Sequence, residues 1–328
     1  MGQEEIIDGF RRGEKRALSR AISIVEREEP GHAELLDTLF PATGRATRIG
    51  VTGPPGAGKS TLVSRLAGAF RQRKETVGIV AVDPSSPLSG GALLGDRVRM
   101  ADHFLDEGVF IRSMATRGSL GGLARRSVEV ADLLDAHGFD RLLIETVGVG
   151  QIEHDIMEAT DLVLVVLHPG AGDAIQAMKA GLLELADAFV LNKADRPDIQ
   201  RLDSDLREML ELRLATDRRG TEIHRTVAIS GDGVPELVMC LDRQLSELDL
   251  SGILARRRRR RHLDQVRRIL EEQLRLHLWG ADGVRGQLLD LLEVGTERPP
   301  YQQARDLLAR LLPDGTIAGA SERSVSDG

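Results

Sequence analysis

Nine consecutive residues combine closely spaced glycines with a lysine and two hydroxyl side chains. They are Gly53, Pro54, Pro55, Gly56, Ala57, Gly58, Lys59, Ser60 and Thr61, and they fit the phosphate-binding pattern G-x-x-x-x-G-K-[ST] at every required position. Glycine lets the backbone approach phosphate oxygens because no Cβ stands in the way. We expect this run to bind the phosphates of a nucleotide, with Lys59 at the β- and γ-phosphates and the Ser60 hydroxyl on Mg²⁺.

The flanking segments favour a phosphate-binding loop over an ordinary glycine-rich turn. Residues 48–52 predict a short buried strand, and residues 62–70 carry apolar side chains at helical spacing. In a strand, loop and helix of this order, backbone N–H groups point at the phosphate and the helix N-terminus adds partial positive charge.

A second signature, N-K-x-D, occupies residues 192–195 directly after an apolar run at 189–191. The carboxylate of Asp195 can accept hydrogen bonds from both N1–H and the N2 amine of guanine, a donor pair that adenine lacks. Asn192 is expected to fix the loop, and Lys193 to lie along the base. The bound nucleotide is therefore expected to be GTP or GDP.

Short apolar runs alternate with helical patterns from residue 48 onward, which predicts an α/β fold with a doubly wound, mostly parallel sheet of the P-loop NTPase type. The strand candidates are 48–52, 76–82, 109–112, 141–144, 162–167, 189–191 and 226–229. Ligands bind beyond the carboxyl ends of such strands. Ser230 and Gly231, directly after the last candidate, are expected to close over the base.

Acidic residues that suit Mg²⁺ follow other strand candidates. Asp83 directly follows the candidate 76–82 and can hold the metal or a water bound to it. Asp96 lies in a glycine-rich segment, 85–100, that we interpret as a switch, with a solvated loop as the alternative.

Glu145 and Gly148 have the spacing of a γ-phosphate sensor, in which the acid holds the magnesium shell and the glycine N–H contacts the phosphate. The residue after that glycine is Val149, where many small GTPases have a glutamine that positions the attacking water. We therefore predict slow intrinsic hydrolysis that a partner protein accelerates.

Helical patterns without strand candidates occupy both ends of the chain. The predicted divisions are an N-terminal helical segment (1–45), a P-loop domain (46–245), a C-terminal helical region (246–317) and a disordered tail (318–328). One C-terminal helix has an apolar stripe that could pack on other helices or on a second subunit. The stripe consists of Leu263, Val266, Leu270, Leu274 and Leu278.

Six arginines, 256–261, begin that helix. They could form a nucleic-acid surface or a solvated basic helix face near acidic groups, for example across a dimer. Because no aromatic residues are interleaved with them, we favour the second interpretation.

Composition narrows the function further. The net charge of -7 argues against a general nucleic-acid partner, and the single cysteine excludes a disulfide within the chain and a thiolate metal cage. The acidic start lacks a secretory signal, and no stretch approaches the ~18 apolar residues of a membrane span. We expect a soluble cytoplasmic protein without a membrane partner, or a mitochondrial matrix protein if the source is eukaryotic.

Together these segments resemble the methylmalonyl-CoA mutase-associated GTPases, the MeaB/ArgK-type G-protein chaperones. The matching runs are 53–61, 82–86, 90–100, 112–123, 145–151, 169–179 and 192–195. The match extends from about Ala17 to Asp195, and the C-terminal helices fit more loosely.

The resemblance implies a homodimeric GTPase that guards an adenosylcobalamin-dependent acyl-CoA mutase and gates cofactor loading. It assigns Lys59, Ser60, Asp83, Asp96 and Glu145 to the phosphates and Mg²⁺. It makes 168–179 a third switch and Lys179 a coupling residue, although propensity alone makes Lys179 a solvated lysine. The C-terminal helices become a dimerisation arm, and cobalamin is expected on the partner.

Other functions compete with this one. A metal-insertion GTPase needs a Cys and His cluster that one cysteine and eight scattered histidines do not supply. A kinase of a periplasmic amino-acid transport-binding protein fits the guanine signature less well. A signalling switch without a dedicated enzyme client is the remaining alternative.

Overall fold

The computed structural model of the chain describes residues 2–83, 100, 103, 105–115, 120–146, 157, 160–170, 185–214, 221–279, 299 and 301–302. The chain divides into two compact units, residues 1–261 and 262–328, which are described separately. The four divisions expected from the sequence stay predictions.

Seven parallel strands among the described residues form one sheet in the first unit. They are β1 (Thr47–Thr52), β2 (Val77–Asp83), β3 (Val109–Ala115), β4 (Arg141–Thr146), β5 (Leu162–Leu167), β6 (Ala188–Asn192) and β7 (Glu222–Thr226). Their order is β3-β2-β4-β1-β5-β6-β7. Where β1 pairs with β4, Val51 lies opposite Glu145. The predicted parallel P-loop sheet is confirmed, and its strands all end at the same edge.

The seventh strand lies earlier than the apolar pattern predicts. The pattern favours 226–229, but β7 ends at Thr226, and Val227 instead pairs antiparallel with Asp232. Among the described strands β7 has one neighbour, β6. A partly exposed edge strand accepts polar residues such as Glu222 and His224, so its sequence lacks the continuous apolar run of a buried parallel strand.

Eight α-helices accompany the sheet in the described residues. They are α1 (Gln3–Arg11), α2 (Lys15–Glu26), α3 (His32–Leu39), α4 (Lys59–Gln72), α5 (Leu120–His137), α6 (Ile199–Leu214), α7 (Val234–Leu250) and α8 (Ile253–Trp279). A short 3-10 turn, Phe40–Ala42, follows α3.

Alternate strand residues build two hydrophobic cores, one on each face of the sheet. Leu142 points into the core that contains α1–α3, α5 and α6, whereas its neighbour Leu143 points into the core that contains α4 and α7. The N-terminal helices therefore share a core with the sheet, and Phe10 of α1 makes an edge-on contact with His137 at the end of α5.

A buried charge cluster joins α5 to the start of β1. Arg48 is fully buried, and its Nη2 donates to Asp132 at 2.7 Å and to Asp135 at 3.1 Å. Asp135 also accepts hydrogen bonds from the backbone N–H groups of residues 44–46. This pairing is what allows an arginine to occupy the interior.

Three arginines of the 256–261 run bind aspartates of the same chain. Arg257 forms a bidentate pair with Asp187, while Arg258 and Arg261 share Asp161 at 2.9 and 3.0 Å. These aspartates directly precede β6 and β5, so they lie at the amino end of the sheet. The predicted acidic neighbours are confirmed for these three residues and require no second subunit. The expected solvated face is wrong for them, because the ion pairs hold their side chains in partly buried positions, with Arg261 only 11% exposed.

Asp161 is completely buried, and burial alone would raise its pKa. The hydrogen bond from Arg258 and the charges of Arg261 and Arg258 outweigh that effect, so its pKa lies below the ordinary 3.8. Asp161 therefore stays ionised in the folded protein.

In the second unit, the described part of α8 exposes its apolar stripe. The exposed members are Leu263, Val266, Leu270 and Leu274. Most of the predicted C-terminal helical region beyond α8 lies outside the described residues. Within the described part of the chain, every helix is too short or too polar to cross a lipid bilayer.

Candidate nucleotide-binding site

Two positions of the loop between β1 and α4 leave no space for a side chain. At Gly53, with φ 139°, an added Cβ would lie 2.1 Å from the carbonyl oxygen of Val166. At Gly58, with φ 89°, it would lie 2.4 Å from Asn192 Nδ2. Gly58 is also the N-cap of α4, so the backbone N–H groups of the first helical turn lie at this loop. The loop thus has the backbone of an anion site.

Lys59 is buried within this loop. Its Nζ donates to the carbonyl oxygens of Gly53 and Pro54 at 2.8 and 2.9 Å. These two hydrogen bonds hold the ammonium group against the backbone of the loop. A buried cation beside the N–H groups of a helix N-terminus is suited to a phosphate.

Ser60 connects the loop to the end of β4. Its Oγ donates to Glu145 Oε1 at 2.6 Å, and both side chains are buried. Beneath them, Thr146 Oγ1 donates to Thr52 Oγ1 at 3.1 Å. A hydroxyl and a carboxylate brought together from separate elements form an oxygen donor set that suits Mg²⁺.

The other predicted metal and phosphate residues are only partly described. The backbone of Asp83 ends β2, and the preceding Val82 lies opposite Thr146, so Asp83 ends at the same edge as Glu145. Asp96, Gly148 and Lys179 lie outside the described residues.

Asn192 joins three segments of the site. Its Nδ2 donates to the carbonyl of Ala57 at 2.8 Å, and its Oδ1 accepts from Thr226 Oγ1 at 3.2 Å and from the Ala228 N–H at 3.0 Å. It is the single asparagine of the chain and is 2% exposed. The predicted loop-fixing residue therefore ties the phosphate loop to β7 and to the segment after it.

Lys193 makes a second link to the phosphate loop. Its backbone has a left-handed φ of 58°, and its Nζ donates to the carbonyl of Gly56 at 2.8 Å. The next residue but one, Asp195, is exposed. The phosphate loop and the N-K-x-D segment are therefore in contact, and the Asp195 carboxylate is accessible to a base.

Ser230 and Gly231 lie in a tight turn that begins near this junction. The Ser230 hydroxyl has two acceptors within reach, Asp232 Oδ2 at 2.7 Å and the Val227 carbonyl at 3.1 Å. Both residues line a cavity of about 340 Å³ against α4 and the first turn of α7. Their contact with a base remains a prediction.

Two residues that the sequence did not mark as site residues hold this site together. Arg65 of α4 donates to the Ala228 and Ile229 carbonyls, and Thr226 donates to Asn192. His168, the first residue of the predicted third switch, follows β5, and a Cβ at Gly56 would be 3.8 Å from its Nε2. Arg65 has no motif to mark it.

Comparison with known proteins identifies the family. The chain matches the family described as methylmalonyl-CoA mutase-associated GTPase MeaB over residues 18–282. A Pyrococcus horikoshii protein with a provisional GTPase name is 46% identical over 270 residues, which cover 81% of this chain and 85% of that protein. The mouse protein named methylmalonic aciduria type A homolog, mitochondrial, is 32% identical over 307 residues, covering 87% and 73%.

A solved structure of similar sequence also matches. The structure named LAO/AO transport system kinase superposes with a TM-score of 0.69 at 28% identity, covering 94% of this chain and 97% of that chain. The chain therefore belongs to the family of methylmalonyl-CoA mutase-associated GTPases, and it is a P-loop GTPase that binds guanine nucleotides.

Proposed function

We propose that this GTPase is a G-protein chaperone for an adenosylcobalamin-dependent acyl-CoA mutase of the methylmalonyl-CoA mutase type. The observation that carries the proposal is the family match over residues 18–282, because that family is named for its association with this mutase. GTP binding and hydrolysis would be coupled to loading and protection of the mutase cofactor, and cobalamin would be bound by the mutase.

The structure supports a nucleotide that acts as a signal. Glu145 contacts Ser60 and begins the predicted γ-phosphate sensor. Asn192 contacts the same loop from the guanine-reading side. One bound nucleotide would therefore be sensed both at the γ-phosphate side and at the base side.

The roles of single residues in the proposal follow the predicted site. Lys59 binds the β- and γ-phosphates, and Ser60 and Glu145, with Asp83 and Asp96, hold Mg²⁺ or its waters. The ion neutralises phosphate charge when bound. Gly148 contacts the γ-phosphate, Asp195 reads guanine, and Lys179 couples the third switch to the client.

The decisive experiment measures GTP turnover with and without the client. The purified chain alone should hydrolyse GTP slowly, and adding a methylmalonyl-CoA or isobutyryl-CoA mutase should raise the rate. An acyl-CoA enzyme without cobalamin is the control and should have no effect. No rise with either mutase would refute the chaperone role while leaving the GTPase assignment intact.

A matched variant shows whether the rate depends on guanine recognition. In Asp195→Asn, one acceptor becomes a donor, so the side chain matches xanthine better than guanine. Stimulation by the mutase should fall with GTP and return with xanthosine triphosphate. Unchanged use of GTP would remove Asp195 from the base-reading role.

We also propose a cytoplasmic homodimer whose subunits meet through the C-terminal helices. Exposed leucines at helical spacing on α8, such as Leu270 and Leu274, support this arrangement because apolar stripes are usually covered. Light scattering on the whole chain should give twice the monomer mass, and a monomer would refute it.

A kinase is the second candidate, because the solved structure with a TM-score of 0.69 carries that name. A kinase would move labelled γ-phosphate from the nucleotide to a transport-binding protein. Release of the label as free phosphate alone would reject this candidate.

A further inference from the structure

A glutamate, a histidine and the single cysteine of the chain meet at the edge of the sheet away from the nucleotide loop. Glu222 and His224 are two residues apart on β7, so their side chains lie on one face of the strand. Cys240 of α7 packs against that face. One ligand atom from each lies within 4.8 Å of the other two. Sequence spacing does not show this cluster, because Cys240 is distant from the histidine along the chain.

We propose that Glu222, His224 and Cys240 form a binding site for one zinc-like divalent cation that clamps the edge strand β7 to α7. This proposal goes beyond the GTPase function and is independent of the mutase partner.

The distances fit a tetrahedral metal. His224 Nε2 and Cys240 Sγ each lie 3.5 Å from Glu222 Oε2. Ligand atoms around tetrahedral Zn²⁺ are separated by roughly 3.3–3.6 Å, given bonds of about 2.0 Å to N or O and about 2.3 Å to S. A 3.5 Å separation is long for a hydrogen bond between imidazole and carboxylate. Both separations from Glu222 Oε2 therefore match those between ligand atoms of one tetrahedral cation.

The ligand types select the class of metal. A thiolate and an imidazole bind borderline and soft cations, whereas Mg²⁺ and Ca²⁺ prefer oxygen ligands. Three protein ligands leave the fourth position for water, and the partly exposed Glu222 side chain opens the site to solvent. On binding, the Cys240 thiol would release its proton to solvent as the metal–sulfur bond forms.

The guanidinium group of Arg243 lies beside this cluster. Its Nη2 donates to both oxygens of Glu222 and lies 3.7 Å from Cys240 Sγ. More than half of its side chain is exposed, so this ion pair contributes little to stability and can be displaced. A cation is thus already favoured at this place, and removal of Arg243 should favour a metal.

The test uses the full-length, nucleotide-free chain, prepared with a chelator and without a polyhistidine tag. Titration with Zn²⁺ against a chromophoric zinc indicator should show a site that raises the melting temperature, while Mg²⁺ should leave it unchanged. His224→Gln should weaken binding at this site at least tenfold. His32→Gln makes the same substitution outside the cluster and should bind as the wild type does.

Two more variants keep the test independent of folding defects. Arg243→Gln retains all three ligands and should bind Zn²⁺ severalfold more tightly. Cobalt should give a thiolate charge-transfer absorption in the wild type that Cys240→Ala lacks. Equal zinc affinity of the wild type and His224→Gln, or no cobalt–thiolate band in the wild type, would overturn the proposal, whereas the GTPase assays are not affected by either result.

Discussion

Replacement of Asn192 by alanine gives a quantitative test of the link between the phosphate loop and the guanine-reading segment. The change removes the partner of the Ala57 carbonyl, the Thr226 hydroxyl and the Ala228 N–H. A buried polar group that loses its partner costs about 1–3 kcal/mol. Taking the low end for each of the three groups, the free energy of unfolding should fall by about 3 kcal/mol or more, a large share of the roughly 5–15 kcal/mol of a typical domain.

Urea unfolding of the nucleotide-free chain measures this loss, with the slope checked for a change in mechanism. Thr226→Val removes one of the three contacts and should cost about 1 kcal/mol. The exposed Ser204→Ala on α6 is the control and should lie within about 0.5 kcal/mol of the wild type. GDP should stabilise Asn192→Ala less than the wild type, because weaker binding gives a smaller linkage effect. A loss below about 1 kcal/mol in Asn192→Ala would refute the structural role of this residue.

Three further changes test other parts of the structure. Asp161→Asn should lower the free energy of unfolding by about 3 kcal/mol at neutral pH, since Arg258 and Arg261 lose their shared carboxylate. Because the pKa of Asp161 is depressed in the folded protein, this difference should shrink as pH falls below 3.8. A pH-independent difference in urea unfolding would contradict this. Burial, with Asp132 and Glu28 adding to it and Arg125 and Arg126 opposing it, raises the pKa of Glu129 to about 7, so its ionisation opposes folding as pH rises from 4.5 through 7. The free energy of unfolding of Glu129→Gln should therefore equal that of the wild type near pH 4.5 and exceed it above pH 7, by up to roughly 3 kcal/mol. A difference between the two proteins that does not change with pH in thermal unfolding would reject the assignment. Gly58→Ala should weaken GDP binding at least tenfold in calorimetry, because its Cβ would push against Asn192 Nδ2; wild-type affinity would show that the loop can relax.

Motifs and apolar runs predicted most of the sheet and the centre of the site. The glycines that the phosphate-loop pattern requires are those whose Cβ would collide with Val166 or Asn192. The buried runs of β5 and β6 are nearly continuous in apolar residues, so their positions were recognisable within a residue or two. Local sequence patterns predict these parts because the same residues determine both the local backbone geometry and the burial.

Long-range pairing escaped prediction. β7 was misplaced because an edge strand does not need an apolar run. The partners of Arg258 and Arg261 are about a hundred residues earlier in the chain, and no spacing rule connects them. Arg65 is similar, since its contacts are to backbone carbonyls, which carry no sequence signature. Asp96, Gly148 and Lys179 stay predictions, because they lie outside the described residues.

The arginines at the start of α8 decide how short an isolated nucleotide-binding module can be. A chain cut at residue 245, the limit of the predicted P-loop domain, would lose Arg257, Arg258 and Arg261 and leave Asp161 and Asp187 without the guanidinium groups that hold them. A chain cut after Arg261 retains all of these pairs and coincides with the end of the first unit. The shortest fragment suitable for crystallisation or NMR should therefore include the first turns of a helix that, by its sequence alone, belongs to the arm.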